Sequence, residues 1–442
     1  MRFGTDGVRG EANTDVTPEL ATAIGRAAIR VLGGDELLVG RDTRRSGPML
    51  AAALAAGAAS EGARALDLGV LPTPAVARLA AVDGCAAAVI SASHNPFGDN
   101  GIKLFSAGGL KLDDELQSRL EAGIDEILGH SGSARPVAAR VGTVEPVPEA
   151  LERYGGSIER ALEGHSLDGL RVVADCANGA ASVIAPHVLR RLGAEVEAIH
   201  AEPDGININH ECGSTHPESL QQRVLTSQAD AGVAFDGDAD RVVAVGEDGA
   251  LVDGDHIVAM LASDLRSRGR LRESTVVVTV MSNLGFRQAM SREGIRVVET
   301  PVGDRHVLEA LERGHWSLGG EQSGHVIFRD LATTGDGLLT AVLLLDLVRR
   351  SGAPLSRMSQ DAMQSLPQVL VNVRVVGCPP DIAAVVADVV AAEEEHLGGS
   401  GRVLVRPSGT EPVVRVMVEA PTEDLAQRVA GRVARAVEAA CG

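Results

Sequence analysis

Aromatic rings are scarce in this chain: 442 residues contain one tryptophan, one tyrosine and six phenylalanines, 2% in all. Single-stranded nucleic acid is held on stacking platforms, which this composition cannot supply. A carbohydrate site would have to work through hydrogen bonds rather than ring faces. Basic charge is short as well. Lys and Arg number 41 against 60 Asp and Glu, for a formal charge of −19, which opposes the basic face that nucleic acid requires. An anionic ligand must therefore be held by local clusters of Arg, Lys and backbone N–H against an unfavourable overall field. No apolar run approaches the roughly 18 to 20 residues of a membrane helix, and "MRFGTDGVRGEANTD" has no apolar segment suited to a signal peptide. Five cysteines (85, 176, 212, 378 and 441) are scattered and never spaced C-x-x-C. That pattern argues against a disulfide framework or zinc site and for a reducing, cytoplasmic setting.

What is present is a βα rhythm. "PELATAIGRAAIRVLGG" reads as a helix closed by glycine, "ELLVG" as a strand, and "CAAAVI" as a buried strand feeding a polar loop. "LRVVADCANGAASVIAPHVLRRLGAEVEAI" and "TVVVTVMSNLGFRQAMSREGIRVVET" repeat the order strand, turn, helix, strand. The last part differs, with a strand, a helix, two strands flanking "RPSGTEP" and a final helix capped by Thr or Asp. The expectation is an α/β chain of four domains: three related α/β domains with mixed sheets (1–152, 153–253 and 254–366) and a small C-terminal α+β domain (367–442).

Four loops concentrate chemistry. "ISASHNPFGDNGIK" places Ser93, His94 and Lys103 directly after an apolar strand. No G-x-S-x-G elbow supports a Ser93–His94 hydrolase dyad, and neighbouring side chains on an extended loop point apart. "AFDGDADRVVAV" packs Asp236, Asp238 and Asp240 between two strands, with Arg241 following. Three like charges in one turn call for a cation. A calcium loop fails because its sixth position, where glycine is required, is Arg241. Magnesium, which takes hard oxygen ligands and shares them with phosphate, suits the loop better. "GGEQSGHVIF" sets Glu321, Ser323 and His325 at alternate positions; if extended, they form one polar edge for sugar hydroxyls or an amine. "LVRPSGTEPVVRV" offers Arg406, Ser408, Gly409, Thr410 and Arg415, the groups a phosphate dianion needs. No P-loop and no G-x-G-x-x-G occurs. Arg9 sits between glycines, whereas Arg41, Arg44 and Arg45 read as surface or interdomain ion-pair partners.

Together "SASHNP", "DGDADR", "GEQSGH" and "RPSGTEP", in that order and one per domain, resemble the phosphoserine, metal, sugar and phosphate loops of the α-D-phosphohexomutase superfamily. "FGTDGVRGEAN" and Gln322 resemble its amino-sugar branch. The resemblance implies an active site in a central cleft and a Ser93 that carries the phosphoryl group. It implies one Mg2+ per chain on Ser93, Asp236, Asp238 and Asp240, with Lys103, Arg9, His94 and Arg241 serving the transfer. It implies sugar binding by Glu321, Ser323 and His325, and phosphate binding by Arg406, Ser408, Gly409, Thr410 and Arg415. The implied reaction interconverts glucosamine 6-phosphate and glucosamine 1-phosphate. Glucosamine 1,6-bisphosphate or a similar bisphosphate serves as intermediate and activator, and the product feeds UDP-N-acetylglucosamine and cell-wall precursor synthesis. The partner is thus a hexosamine phosphate, with no nucleic acid and no membrane, and a homodimer stays open. A glucose or mannose phosphate mutase, or a non-catalytic sugar-phosphate-binding relative, are the alternatives.

Overall fold

A computed structural model describes residues 7–129, 135–375, 381–407 and 413–441. Its first sheet has six strands, ordered Val8–Glu11, Asp99–Phe105, Ala86–Ile90, Glu36–Arg41, Arg64–Val70 and Val144–Pro146. Glu36–Arg41 runs parallel to both Ala86–Ile90 and Arg64–Val70, while Ala86–Ile90 pairs antiparallel with Asp99–Phe105. The same four-strand order recurs twice. In the second sheet it is Val242–Gly246, Ala231–Phe235, Arg171–Asp175 and Glu195–Ile199, and in the third Val326–Phe328, Leu318–Gly320, Thr275–Thr279 and Arg296–Thr300. Each time the first step is antiparallel and the next two are parallel. The three sheets are thus mixed and topologically alike. The one hairpin in each repeat opens at the carboxyl end of a parallel strand, where α/β sheets place their ligands.

With few aromatic side chains, the cores close by bringing backbones together. Helices Pro18–Leu32 and Gly47–Ser60 meet at Gly25 and Gly57. A Cβ on these would lie 2.0 Å from the Leu54 carbonyl oxygen and 2.2 Å from that of Thr22, respectively. Only glycine permits this approach. Helix starts are capped by side chains: Thr17 accepts from the Leu20 N–H, Asp253 from His256 and Asp336 from Leu339.

By contacts the chain forms two compact units. One comprises the residues up to Met281 with Ile295–Gln360, and the other Ser282–Gly294 with the residues from Asp361 onward. The second holds a three-stranded antiparallel sheet, Gln368–Arg374, Val413–Glu419 and Arg402–Pro407, covered by the helix Glu423–Cys441. Helix Leu284–Arg292 is tied to this unit through the Leu284 N–H, which donates to buried Glu419 at 2.9 Å. Thr422 accepts from Leu425 at the start of the final helix. Cys85, Cys176 and Cys212 are free thiols, whereas Cys441 is disulfide-bonded. No helix among the described residues is long and apolar enough to cross a membrane.

Candidate active site

The hairpin loop of the first sheet begins where the fully buried strand Ala86–Ile90 ends. Ser91 donates to Asp42 at 2.6 Å and accepts the Ser93 N–H at 3.0 Å. Ser93 itself has φ +51°, a left-handed conformation that costs a non-glycine residue about 1 kcal/mol or more. Its side chain thereby turns to the second sheet, and Oγ donates to Oδ2 of Asp236 at 2.6 Å. The same twist breaks the alternation of an extended loop. His94 Nδ1 consequently lies 3.4 Å from Ser93 Oγ, and the expectation that these neighbours point apart is corrected. Burial, and then the charges of Arg241 and Arg9, push His94 down to about 4, so its ring is neutral at pH 7.

The second hairpin carries Asp236, Asp238 and Asp240, all buried. Ligand oxygens of the three lie within 4.8 Å of one another. Gly237 allows the approach to the first loop, since a Cβ there would meet the Ser93 carbonyl oxygen at 2.6 Å. Lys103, on the strand Asp99–Phe105, reaches Asp238 Oδ2 at 2.8 Å and Asp240 Oδ2 at 3.3 Å. Thr73, first residue of the helix Thr73–Asp83, grips Asp238 twice. Its hydroxyl donates to Oδ2 at 2.6 Å and its N–H to the carbonyl at 3.0 Å. Oδ1 of Asp238 and Oδ1 of Asp240 are buried without a hydrogen-bond partner. Buried acceptors left this way are costly. Three carboxylates against one lysine, with two orphaned oxygens, form a hard-oxygen donor set that fits a Mg2+ ion. Burial and the charges of Asp240 and Asp238 hold Asp236 well above the usual carboxylate range. For Asp240 burial acts upward too, but the Lys103 ammonium and His325 outweigh it and hold the group well below that range. A second cluster, Asp175, His200 and Cys212, differs. Both Asp175 oxygens already take amide hydrogens, from Ala177 and Gly213.

The third hairpin does not lie extended. Gly324, at φ +90°, donates its N–H to the Glu321 carbonyl at 3.0 Å, and the Glu321 N–H donates to the His325 carbonyl at 3.0 Å. This tight turn separates the three side chains expected on one edge. Ser323 is exposed, Glu321 is half-buried with Oε1 accepting the Gly303 N–H, and His325 is buried. His325 faces the aspartates, with Nδ1 3.8 Å from Asp240 Oδ1 and Nε2 3.5 Å from Asp304 Oδ2. Asp304 in turn pairs with Lys111. The Gly335 N–H donates to His325 Nε2 at 3.1 Å, which leaves Nδ1 as the N–H that faces Asp240. Burial lowers the imidazole, but Asp240 and Asp304 outweigh it and push it up. Gln322 donates to Asp253, the cap of the helix Gly254–Ser267, at 3.3 Å.

Arg241 Nε lies 3.9 Å from Asp240 Oδ1, and its N–H donates to Asp236. Arg9 pairs in register with Gly101, two residues from Lys103 on the same strand. In the second unit Arg406 and Arg415 oppose each other on adjacent strands. Burial, and then the Arg415 charge, lower the Arg406 guanidinium from its usual range. Ser408, Gly409 and Thr410 lie outside the described residues.

Sequence reasoning missed four contributors. Arg44, assigned above to the surface or a domain boundary, is fully buried beneath the Ser93 loop with Asp42. Thr73 and Asn209 reach the site from 165 and 116 residues away in sequence, a distance no local pattern spans. Asp304, the first residue of the helix Asp304–Gly314, stands beside His325.

Models of the phosphoglucomutase/phosphomannomutase family match nearly the whole chain: α/β/α domain I at residues 1–129, domain II at 152–249, domain III at 253–366 and the C-terminal domain at 370–436. A phosphoglucosamine mutase of Rhodococcus jostii is 53% identical over 443 residues, 98% of each chain. One of Mycolicibacterium paratuberculosis is 52% identical over 446 residues, 99% of each. Among solved structures, a phosphoglucomutase/phosphomannomutase family protein of Burkholderia thailandensis superposes with a TM-score of 0.81 at 26% identity, covering 99% of this chain and 97% of that one. The N-acetylphosphoglucosamine mutase of Aspergillus fumigatus, in complex with GlcNAc-6P and magnesium, shares the fold at a TM-score of 0.68 and 19% identity, covering 100% and 96%.

Proposed function

The chain belongs to the phosphoglucomutase/phosphomannomutase family, among its phosphoglucosamine mutases, and from that premise we propose that it interconverts glucosamine 6-phosphate and glucosamine 1-phosphate through a phosphorylated Ser93. The P–Oγ bond of phospho-Ser93 breaks as the sugar O1 bonds to phosphorus, giving the 1,6-bisphosphate. The bisphosphate turns over, its 6-phosphoryl group returns to Ser93, and the 1-phosphate leaves. A free bisphosphate primes Ser93 when it has lost its phosphate.

Asp236, Asp238 and Asp240 would hold one Mg2+ per chain, with a phosphoryl oxygen on Ser93 as a further donor. When bound, that ion supplies charge neutralisation for phosphoryl transfer. The remaining work falls to side chains. Lys103 stands between two aspartates and serves the proton leaving or entering the sugar hydroxyl, while Arg9, whose guanidinium keeps its protons, stabilises the charge in transfer. Arg241 contacts the phosphoryl group, and neutral His94 orients Ser93 Oγ. Glu321, with Ser323 in the same turn, meets the sugar, while His325 stays buried beside Asp240 and Asp304. Arg406 and Arg415, with Ser408, Gly409 and Thr410, hold the phosphate that is not reacting.

The observation that carries this reading is the 2.6 Å contact of the Ser93 hydroxyl with an aspartate of a buried, cation-demanding triad. The test is a comparison of kcat/KM for glucosamine, glucose and mannose phosphates with Mg2+ present. A site built to pair an amine discriminates against a sugar lacking it, and a preference of about tenfold or more is expected. Equal values for glucosamine and glucose phosphates would move the chain to the glucose or mannose branch.

A further inference from the structure

Arg44 is the largest fully buried side chain among the described residues, and its hydrogen bonds go to Asp42 and to the Ser93 loop rather than to the metal loop. Its guanidinium has five N–H donors, and every one is used. Nε donates to Asp42 Oδ2 at 2.9 Å, and Nη1 to the carbonyls of Pro96 and, at 3.0 Å, Asp99. Nη2 donates to the carbonyls of Ser93 at 2.9 Å and Asn95 at 2.8 Å. From the second sheet's domain, the Asn209 side-chain amide donates to the same Ser93 and Asn95 carbonyls, at 2.9 and 3.1 Å. Asp42 closes the arrangement through Ser91, whose hydroxyl receives the Ser93 N–H.

Four carbonyls of one loop, those of Ser93, Asn95, Pro96 and Asp99, are thus held by one planar cation, and Ser93 is fixed at both its N–H and its carbonyl. This is the residue with φ +51°. A strained conformation persists only where its surroundings over-determine it, and here the determinants are nameable. Left to itself, the loop would relax toward an extended form and carry Ser93 Oγ away from Asp236.

We propose that Arg44, seconded by Asn209, is the positioning residue of the reaction: it locks the Ser93 main chain in the left-handed conformation, so that Oγ stands at one place both when it gives the phosphoryl group and when it takes it back. The proposal rests on Ser93 being the phosphoryl carrier. Arg44 reaches Ser93 only through backbone carbonyls, so it contributes to geometry and not to substrate binding. Lysine cannot replace it, because an ammonium has three donors and no planar fork.

The test compares wild type, Arg44→Lys and Asn209→Ala, the last removing one neutral clamp without leaving a buried charge should Arg44→Lys fail to fold. Steady-state kinetics with glucosamine 6-phosphate should give a kcat lowered by about 100-fold in Arg44→Lys and about tenfold in Asn209→Ala, as for a small misplacement of a reacting atom. KM should stay within about twofold, the mark of an interaction that acts on the chemical step. Hydrogen exchange of the amides of residues 93–99, measured on dephosphorylated protein, should accelerate in both variants. Variants that fold yet keep kcat within about threefold of wild type, or loop amides that exchange as in wild type, would overturn the positioning role. Peptide mass of bisphosphate-treated wild type separates this from the reading beneath it. Active protein with its phosphate elsewhere than Ser93 would remove the carrier, while the exchange result would still decide whether Arg44 holds the loop.

Discussion

The hydroxyl of Ser93 and the carboxylate of Asp236 come from hairpins in two different sheets and meet at 2.6 Å. The two residues are 143 apart in sequence, so the contact depends on how the repeated domains are set. Replacing Ser93 with alanine removes the hydroxyl proposed to carry the phosphoryl group. We expect kcat for glucosamine 6-phosphate to fall by about 10³-fold or more, and the phosphate found by intact mass on the wild type to disappear. Turnover within about tenfold of wild type would refute the role of Ser93.

Thr73 donates to the same oxygen of Asp238 that Lys103 contacts. Threonine to valine keeps the shape and deletes the hydroxyl. Outer hydrogen bonds that orient a ligating carboxylate are worth about 10- to 100-fold in metal affinity, so Thr73→Val should weaken Mg2+ binding by that order in titration calorimetry. Thr73→Ser should restore it. Unchanged affinity in Thr73→Val would mean that Asp238 is held by Lys103 alone.

Arg406 and Arg415 face each other in register, and like charges placed so disfavour the sheet. Arg406→Ala should therefore leave the stability of its unit unchanged or raised by about 0.2–1 kcal/mol. Charge-assisted hydrogen bonds are worth about 1.5–3 kcal/mol each, so kcat/KM should drop by at least about tenfold with the 6-phosphate and the 1-phosphate alike. More free bisphosphate should escape during turnover. A defect confined to one direction would contradict a clamp that serves both ends of the sugar.

Asp336 caps the helix Gly337–Ser351 and accepts from the buried Tyr154 hydroxyl at 2.8 Å. Burial pushes its carboxyl from 3.8 up to about 6, with the Leu339 amide and Tyr154 acting the other way. The folded protein thus holds this proton more tightly than the unfolded chain. Its contribution is full below pH about 4 and is lost as the pH rises through about 6, a change of at most about 3 kcal/mol. Asp336→Asn keeps the acceptor and removes the titration. Urea midpoints of wild type relative to Asp336→Asn should decline between pH 4 and 7, and a rise over that range would show the sign to be wrong.

How far the sequence could be read depended on the range of the interaction. The strands and the βα rhythm are local, and "CAAAVI" or "AGVAF" shows its burial in its own residues. The triad Asp236, Asp238 and Asp240 was legible because three close carboxylates demand a cation wherever they stand. The turn at "GEQSGH" was not, since alternation cannot distinguish an extended edge from a hairpin closed by Gly324 in the left-handed region. The Ser93–His94 contact was hidden for the same reason, because the sign of φ is not written in residue type. Arg44 reads from the sequence as one of three nearby arginines. Only the fold reveals that four of its five donors meet a loop some 50 residues away.

The central claim is that the phosphoryl group travels from Ser93 to the sugar and that another returns. Protein carrying radiophosphate on Ser93 is mixed in excess over unlabelled glucosamine 6-phosphate with Mg2+, and a single turnover is quenched in time. The expected result is loss of label from the Ser93 peptide as label appears on the C1 phosphate of the sugar, first in the bisphosphate and then in glucosamine 1-phosphate, with Ser93 rephosphorylated by unlabelled phosphate. Glucosamine 1-phosphate forming while the label stays on Ser93, or label released only as inorganic phosphate, would contradict it.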